Sequence, residues 1–231
     1  MANLHIFGDS FSVDWNKYFH RKANPTGGQG EYYKLLKRKP LHFAEVIKKE
    51  LKLNKIYYHA IGAADNYTIL ESIGKCINSI KDDDYVCIGW SDITRYRIIT
   101  PPHIKNKAFP VRQGWLHIFI QGLTVPIRYT DDVSKAFYKQ SVDRDCEFTI
   151  KEIGYWQKIL MKSLPNNTIF WSPFDRNQKR YPYSILKEPF EVIADVTDID
   201  DMHASEKGHE EIGKFLISVF KNNPYKSYEI F

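Results

Sequence analysis

The chain has 231 residues, of which 43% are hydrophobic, 15% aromatic and 26% charged. This composition excludes a disordered or fibrous protein, and the length favours a single α/β domain over residues 1–231. The formal net charge of +5 is too small to favour a nucleic-acid partner by itself, and we expect none. The excess lies in residues 17–39, which contain seven Lys or Arg and a single acidic residue, Glu31.

The three cysteines are Cys76, Cys87 and Cys146, and none forms a CxxC pair. This arrangement predicts neither a disulfide framework nor a zinc site and favours a reducing compartment. The first residues lack the basic and apolar segments of a signal peptide, and no run approaches the roughly 18 apolar residues of a membrane span. We therefore expect a soluble protein without membrane contact, in the cytoplasm or within a viral particle.

Short apolar runs alternate with longer amphipathic segments along the chain. The predicted strands cover residues 4–7, 56–59, 85–89 and 168–171, with a fifth at 190–194. The predicted helices cover residues 41–51, 67–80, 147–164 and 205–220. This alternation predicts a parallel sheet covered by helices on both faces, with the functional loops at the carboxyl ends of the strands.

Two segments depart from the alternation. Residues 11–40 contain Pro25 and three nearby glycines among basic residues, which predicts a long loop at the edge of the site. Residues 92–146 are rich in aromatic residues and proline, which predicts an irregular insertion. Because long irregular loops in compact domains are often functional, both segments are candidate walls or lids of a pocket.

The sequence Gly8-Asp9-Ser10 follows the first predicted strand directly. The glycine permits a tight turn that would hold the Ser10 hydroxyl at the mouth of the sheet, where a nucleophile is useful. An alternative role for Ser10 is the N-cap of a following helix.

A second block lies just before the last predicted helix, where Asp200 precedes His203 by three residues. In so short a loop, the Asp200 carboxylate could reach Nδ1 of His203 and fix its tautomer. Nε2 would then be able to take a proton from a serine hydroxyl. The two blocks together predict a Ser-His-Asp triad.

In order, spacing and chain length, these blocks resemble those of the GDSL/SGNH hydrolase superfamily. The resemblance implies a three-layer α/β/α sandwich with a flavodoxin-like parallel sheet, and hydrolysis of acyl or acetyl esters. It also implies Ser10 as nucleophile, His203 as general base and acid, and Asp200 as the carboxylate that orients His203. No metal or organic cofactor is needed for this chemistry. Acyl transfer to a sugar would use the same residues.

The family stabilises the oxyanion through backbone amides and an asparagine in a Gly-x-Asn-Asp block. Here the corresponding sequence is Gly89-Trp90-Ser91-Asp92, so Ser91 stands at the asparagine position. Backbone amides are expected from Ser10 and from the loop containing Gly62 and Asn66. Two alternatives stay open for the side-chain donor, since either the Ser91 hydroxyl or the longer Asn66 amide could complete the oxyanion hole.

Asp9 and Trp90 adjoin these blocks and are candidate substrate-binding residues. The expected partner is a small-molecule or glycan ester, with a carbohydrate O-acetyl ester preferred because no long apolar stripe marks a lipid tunnel. A metal bound near His209 is the weaker interpretation of the acidic residues there, since acidic residues favour the start of a helix. The alternative function is an inactive glycan-binding or structural protein with the same fold, which Ser91 in place of asparagine favours.

Overall fold

Five short apolar segments form a parallel sheet in the computed structural model, which describes residues 1–14, 28–62, 64–91, 96–99, 115–118, 146–173, 181–186 and 190–222. The strands are β1 (Leu4–Phe7), β2 (Ile56–Tyr58), β3 (Tyr85–Gly89), β4 (Tyr96–Ile99), β5 (Trp115–Ile118), β6 (Thr168–Ser172) and β7 (Ile185–Leu186). The sheet has the order β2-β1-β3-β6-β7 with every pair parallel, and β4 and β5 form a separate antiparallel pair. The α/β class with a parallel sheet is therefore confirmed.

Two of the helices in the described residues begin at a side chain that caps their first turn. The helices are α1 (Gly28–Leu36), α2 (Phe43–Glu50), α3 (Asn66–Cys76), α4 (Cys146–Ser163), α5 (Ile193–Val196) and α6 (Glu206–Asn222). The Asp65 carboxylate accepts a hydrogen bond from the backbone N–H of Thr68 and caps α3. The His42 ring caps α2 by accepting from the N–H of Ala44. All four predicted long helices are present within a few residues of their expected ends.

Buried side chains alternate between the two faces of the sheet, as the period of a strand requires. On one face, Leu4 and Ile6 belong to a core cluster that includes residues of α2 and α6. On the other face, Phe7 belongs to a second cluster that includes residues of α3 and α4. The parallel strands are therefore buried on both faces, which explains why they appear as nearly continuous apolar runs in the sequence.

Close helix packing positions α6, the helix that follows the His203 block. A Cβ added to Gly213 would lie 2.7 Å from Cβ of Val46 on α2. A Cβ added to Gly208 would lie 2.0 Å from the backbone oxygen of Glu191. Both glycines thus allow the backbone of α6 to approach its neighbours more closely than any other residue would permit.

Two expectations about local structure were wrong or incomplete. Residues 190–194 are not a strand, because the chain makes only one isolated bridge at Val192 before entering α5. The predicted loop at residues 11–40 contains α1, whose Tyr32 and Tyr33 are buried against Ile193. The local glycines and charged residues predict a loop, but tertiary packing of these aromatic rings stabilises a helix.

The predicted insertion at residues 92–146 contains the β4–β5 pair, and its other residues up to 145 lie outside the described part of the chain. Among the described helices, none combines the length and apolar character that a membrane span requires.

Candidate active site

The turn after β1 presents the Ser10 hydroxyl. Gly8 has a φ of 150°, and a Cβ at this position would lie 2.5 Å from Ser12 Oγ, so the turn requires glycine. The backbone N–H of Ser12 donates to the Asp9 carbonyl oxygen at 3.0 Å, and the N–H of Phe11 donates to Oδ1 of Asp9 at 3.0 Å. These local bonds hold Ser10 at the carboxyl end of β1, an interior strand of the sheet.

The loop that contains His203 is fastened along both of its sides. The N–H of Ile193 donates to the His203 carbonyl oxygen at 2.9 Å, and the N–H of Ser205 donates to that of Glu191 at 3.0 Å. An isolated antiparallel bridge joins Val192 to Ala204. The backbone on either side of His203 is therefore paired, which limits the directions its imidazole can take.

The structure brings Ser10 and His203 together from opposite ends of the chain. Nε2 of His203 lies 2.8 Å from Oγ of Ser10, and the imidazole is 26% exposed. The Phe11 ring stacks on the imidazole with a centroid separation of 4.7 Å. Hydrogen-bond contact between a partly exposed serine and a histidine is the geometry required for general-base activation.

The carboxylate on His203 belongs to Asp201, which corrects the prediction of Asp200. Oδ1 of Asp201 lies 2.6 Å from Nδ1 of His203 and also accepts the backbone N–H of His203 at 2.9 Å. This bond from residue i+2 to an aspartate side chain is an Asx turn, and it brings the carboxylate beside the imidazole. Asp200 is exposed. The signal that could have identified Asp201 is this local turn preference.

The ionisation of Asp201 determines the tautomer of His203. Burial acts to raise the pKa of Asp201, but hydrogen bonds from the ring and backbone of His203 outweigh it, so the pKa is lowered overall. An ionised carboxylate can only accept, so Nδ1 of neutral His203 carries the proton. The lone pair of Nε2 consequently faces the Ser10 hydroxyl, which can donate its proton to it.

The Ser91 hydroxyl points into the protein interior. Ser91 is fully buried, and its Oγ donates to Oδ2 of Asp9 at 3.2 Å. A hydroxyl has one hydrogen to donate, and here it is directed at the carboxylate beneath the Ser10 turn. This conformation contradicts the expectation that the Ser91 side chain is an oxyanion donor.

The Asn66 side chain is engaged in the same buried network. Its Nδ2 donates to Oη of Tyr181 at 2.6 Å and to the carbonyl oxygen of Ser91 at 3.4 Å, while its Oδ1 accepts the N–H of Ser91 at 2.8 Å. The Tyr181 hydroxyl donates in turn to the Ser91 carbonyl at 3.2 Å. The expectation that this amide completes the oxyanion hole is therefore also contradicted. Tyr181 was not anticipated, because no local pattern links it to Asn66.

The backbone of the loop that follows β2 lies against the Ser10 turn. The N–H of Ile61 donates to the Gly8 carbonyl oxygen at 3.0 Å, which places the adjoining Gly62 next to the Ser10 turn. The backbone amides of Ser10 and Gly62 stay the predicted oxyanion donors.

The two predicted substrate-binding residues are buried instead. Trp90 has no exposed surface and packs between Phe170 and Tyr181, with ring centroids 6.1 Å away in each case. Asp9 is 1% exposed, and its carboxylate accepts from the chain itself. Because both side chains are buried in the protein interior, their assignment to substrate contact is corrected.

A buried histidine pair lies behind the site. The rings of His42 and His209 are 4.7 Å apart between centroids. Burial lowers the pKa of His209 to about 3, with a smaller contribution from His203, and burial likewise holds the pKa of His42 well below its usual value. Both rings are therefore neutral at physiological pH.

In the described part of the basic segment at residues 17–39, basic side chains pair with acidic ones. Arg38 makes two hydrogen bonds to the Glu206 carboxylate, at 2.6 and 2.5 Å, and Lys34 pairs with Glu31 at 2.7 Å. The Tyr32 hydroxyl accepts the N–H of Glu206 at 3.0 Å. The hydrogen bonds of Arg38 and Tyr32 to Glu206 attach α1 and the residues after it to the start of α6, beside the His203 loop.

Within the described residues, no group of three or more His, Cys, Asp or Glu is arranged to hold a metal ion. No family model, curated protein or solved structure matches the chain. A functional assignment for this chain therefore depends on the geometry of the site.

Proposed function

We propose that this protein is a serine ester hydrolase of the SGNH type. The observation that carries the proposal is the continuous chain from Ser10 Oγ through His203 to Asp201, with distances of 2.8 and 2.6 Å. Two segments separated by 193 positions in sequence supply it. Such a chain, with its carboxylate kept ionised and its serine partly exposed, has the components of nucleophilic acyl transfer.

In the proposed reaction, Ser10 Oγ attacks the ester carbonyl carbon while Nε2 of His203 takes the hydroxyl proton. Asp201 stabilises the resulting imidazolium through Nδ1–H. The imidazolium then gives its proton to the departing alcohol oxygen as the ester C–O bond breaks, which leaves an acyl-serine. Water, deprotonated by the same nitrogen, releases the acid and restores Ser10.

The oxyanion of this reaction is assigned to the backbone amides of Ser10 and Gly62, since the side chains of Ser91 and Asn66 point into the core. Each donor of this kind contributes about 10²–10³ in turnover. An oxyanion hole made from backbone amides alone predicts a slower enzyme than one completed by a side chain.

The fold proposed with this activity is a three-layer α/β/α sandwich with a flavodoxin-like sheet. It is supported by the strand order β2-β1-β3-β6-β7 and by the separate core clusters on the two faces. The proposed substrate is an acyl or acetyl ester, with a carbohydrate O-acetyl ester preferred.

Hydrolysis of an activated acetyl ester and of an acetylated oligosaccharide by the full-length protein tests the proposal. Ser10→Ala should lower turnover by at least about 10³ without changing the unfolding midpoint. Ser72→Ala is the matched control, since the Ser72 hydroxyl donates to a backbone oxygen away from the triad. Full activity in Ser10→Ala would overturn the assignment.

A second function, glycan binding without catalysis, is favoured by one observation. Both candidate side-chain oxyanion donors are engaged in a buried network with Tyr181. A fluorophosphonate, which reacts covalently with activated serines, distinguishes the two functions. Labelling of Ser10 supports the hydrolase, whereas an unlabelled protein that still binds acetylated oligosaccharide supports the binding protein.

A further inference from the structure

Four side chains outside the Ser10 site form a second continuous chain. Oδ2 of Asp84 lies 3.2 Å from Nε2 of His5, and Nδ1 of His5 lies 3.1 Å from Nε2 of His59. Nδ1 of His59 lies 3.3 Å from Sγ of Cys76. The members come from four places in the fold: Asp84 directly precedes β3, His5 lies in the middle of β1, His59 directly follows β2, and Cys76 ends α3.

The direction of every hydrogen bond in this chain follows from its first member. The Asp84 carboxylate also accepts from the backbone N–H groups of Asn3 and Lys81 and from the Asn3 side chain. Although burial opposes ionisation, these bonds and the bond from His5 lower the pKa of Asp84, so it is an ionised acceptor.

His5 must therefore donate to Asp84 through Nε2–H. Burial lowers the pKa of His5, so the ring is neutral and its Nδ1 can only accept. The shared hydrogen bond then requires the proton on Nε2 of His59. In neutral His59 this leaves Nδ1 as an acceptor, and the Cys76 thiol donates to it.

We propose that Cys76 is a second nucleophilic site, a thiol activated by His59 that exchanges with small disulfides. Cysteine paired with a correctly oriented imidazole is the usual arrangement of an activated thiol. His5 and Asp84 are positioning residues, because they act on the thiol only through His59. Ring stacking of Phe7 on His59, at 4.5 Å between centroids, also orients the imidazole.

In the exchange, Sγ of Cys76 attacks one sulfur of a disulfide R–S–S–R while Nδ1 of His59 takes the thiol proton. The new bond joins Cys76 to that sulfur, the original S–S bond breaks, and the departing thiolate receives the proton from His59. One thiol and one disulfide are consumed, and one of each is formed. No other oxidant is needed.

The other cysteine with described surroundings is a natural contrast. Cys87 is fully buried in β3, and its burial raises the thiol pKa. Cys76 is only partly buried, at the end of α3. Of these two thiols, Cys76 is the one that combines access with an imidazole acceptor.

The test is the rate of thiopyridone release when the full-length protein reacts with dipyridyl disulfide at neutral pH. It uses a Cys146→Ser background, and peptide mass spectrometry locates the adduct. We expect modification at Cys76 to be faster than modification of N-acetylcysteine. His59→Gln should slow the modification of Cys76 about tenfold. Without an imidazole to take its proton, the thiol reacts as an ordinary one, and an ordinary thiol is only a few per cent ionised at pH 7.

Ser72→Ala is the matched control, because the Ser72 hydroxyl donates to the backbone oxygen of His59 and not to its ring. It should leave the rate unchanged. A rate at Cys76 no higher than that of N-acetylcysteine, or an equal rate in His59→Gln, would overturn the proposal.

A measurement on the unsubstituted protein covers the case in which His59→Gln fails to fold. Nitrogen chemical shifts of the histidine rings distinguish the two neutral tautomers. We expect the proton of His59 on Nε2, and His5→Phe, which keeps an aromatic ring at that position, should abolish this preference. A proton on Nδ1 of His59 would exclude the thiol as donor and overturn the proposal.

Discussion

The protein contains two chains of hydrogen-bonded side chains. The first chain runs from Ser10 through His203 to Asp201, and the second from Cys76 through His59 and His5 to Asp84. They differ in where their carboxylates lie. Asp201 is two residues from His203 in one loop, and its side chain is 12% exposed. Asp84 is 79 residues from His5 in sequence, and its side chain is 1% exposed. The first chain is thus organised by a local turn, whereas the second depends on the register of the sheet.

This difference separates two ways of orienting an imidazole. In the His203 loop, one carboxylate oxygen of Asp201 accepts from both the ring and the backbone of His203, so the imidazole is oriented by contacts within the loop. In the sheet, Asp84 is held by three N–H groups of Asn3 and Lys81 in addition to His5. We expect substitutions in the first chain to affect mainly activity, and those in the second to affect mainly stability.

The largest expected effect is on turnover in Asp201→Asn. An amide facing Nδ1 can donate to it, which would move the His203 proton to Nε2 and remove the base from Ser10. We expect turnover to fall by up to about 10⁴. Asp200→Asn, at the neighbouring exposed position, should keep turnover within a few-fold. Steady-state hydrolysis by both variants is the measurement, and a larger loss in Asp200→Asn would restore Asp200 as the partner.

Asp84→Ala should have the next largest effect, this time on stability. Removing the carboxylate leaves the buried Nε2–H of His5 and the partly buried N–H groups of Asn3 and Lys81 without their acceptor. We expect the free energy of unfolding to fall by about 3 kcal/mol in urea titrations. Asp83→Ala, at an exposed position, should change it by less than about 0.5 kcal/mol. Similar losses in both variants would show that the Asp84 contacts are not stabilising.

Gly8→Ala tests the turn on which the first chain depends. A Cβ there meets Ser12 Oγ at 2.5 Å and the backbone oxygen of Gly89 at 2.9 Å, at a φ unfavourable for alanine. We expect a loss of about 1–3 kcal/mol in the free energy of unfolding, with turnover reduced as Ser10 shifts. Gly74→Ala on α3, where a Cβ meets no atom within 4 Å, should stabilise the protein by up to about 1 kcal/mol. A destabilised Gly74→Ala together with a tolerated Gly8→Ala would contradict this account.

Neutral imidazoles behind the first chain predict a dependence of stability on pH. The pKa of His209 is about 3 in the folded protein and 6.5 in the unfolded chain. As pH falls below 6.5, the unfolded chain gains a proton that folded His209 does not, so stability is lost. Between pH 6.5 and about pH 5 this loss is on the order of 2 kcal/mol.

His209→Gln removes this contribution, so its free energy of unfolding should fall less steeply with acidification than that of the unsubstituted protein. Urea titrations at several pH values measure both slopes. Equal slopes would mean that His209 becomes protonated without unfolding.

Ser91→Ala should have the smallest effect. It removes one buried hydrogen bond to Asp9, which predicts a loss of about 1 kcal/mol in the free energy of unfolding. Turnover should stay within a few-fold, because the hydroxyl faces the core. A fall of about 10²–10³ in turnover with unchanged substrate binding would instead identify Ser91 as an oxyanion donor.

Local patterns in the sequence are sufficient to predict several interior strands of the sheet. The apolar runs at β1, β3 and β6 end within one residue of their predicted positions. The sequence predicts Ser10 as a site residue because it follows a glycine turn, and His203 because it precedes a helix. The structure places the two in contact. Strand periodicity and turn preferences depend on adjacent residues, so they can be derived from the sequence alone.

Only the tertiary structure decides which groups meet across elements. The contact between the His203 imidazole and Ser10 is one such outcome, because the two residues lie 193 positions apart in sequence. In the sheet, Leu4 pairs with both Tyr85 and Ile56. This register brings together three residues close to these pairs in sequence, His5, Asp84 and His59. Burial of Asn66, Ser91 and Tyr181 likewise follows from packing between distant segments. These outcomes depend on sheet register and side-chain packing, which residues far apart in the sequence determine jointly.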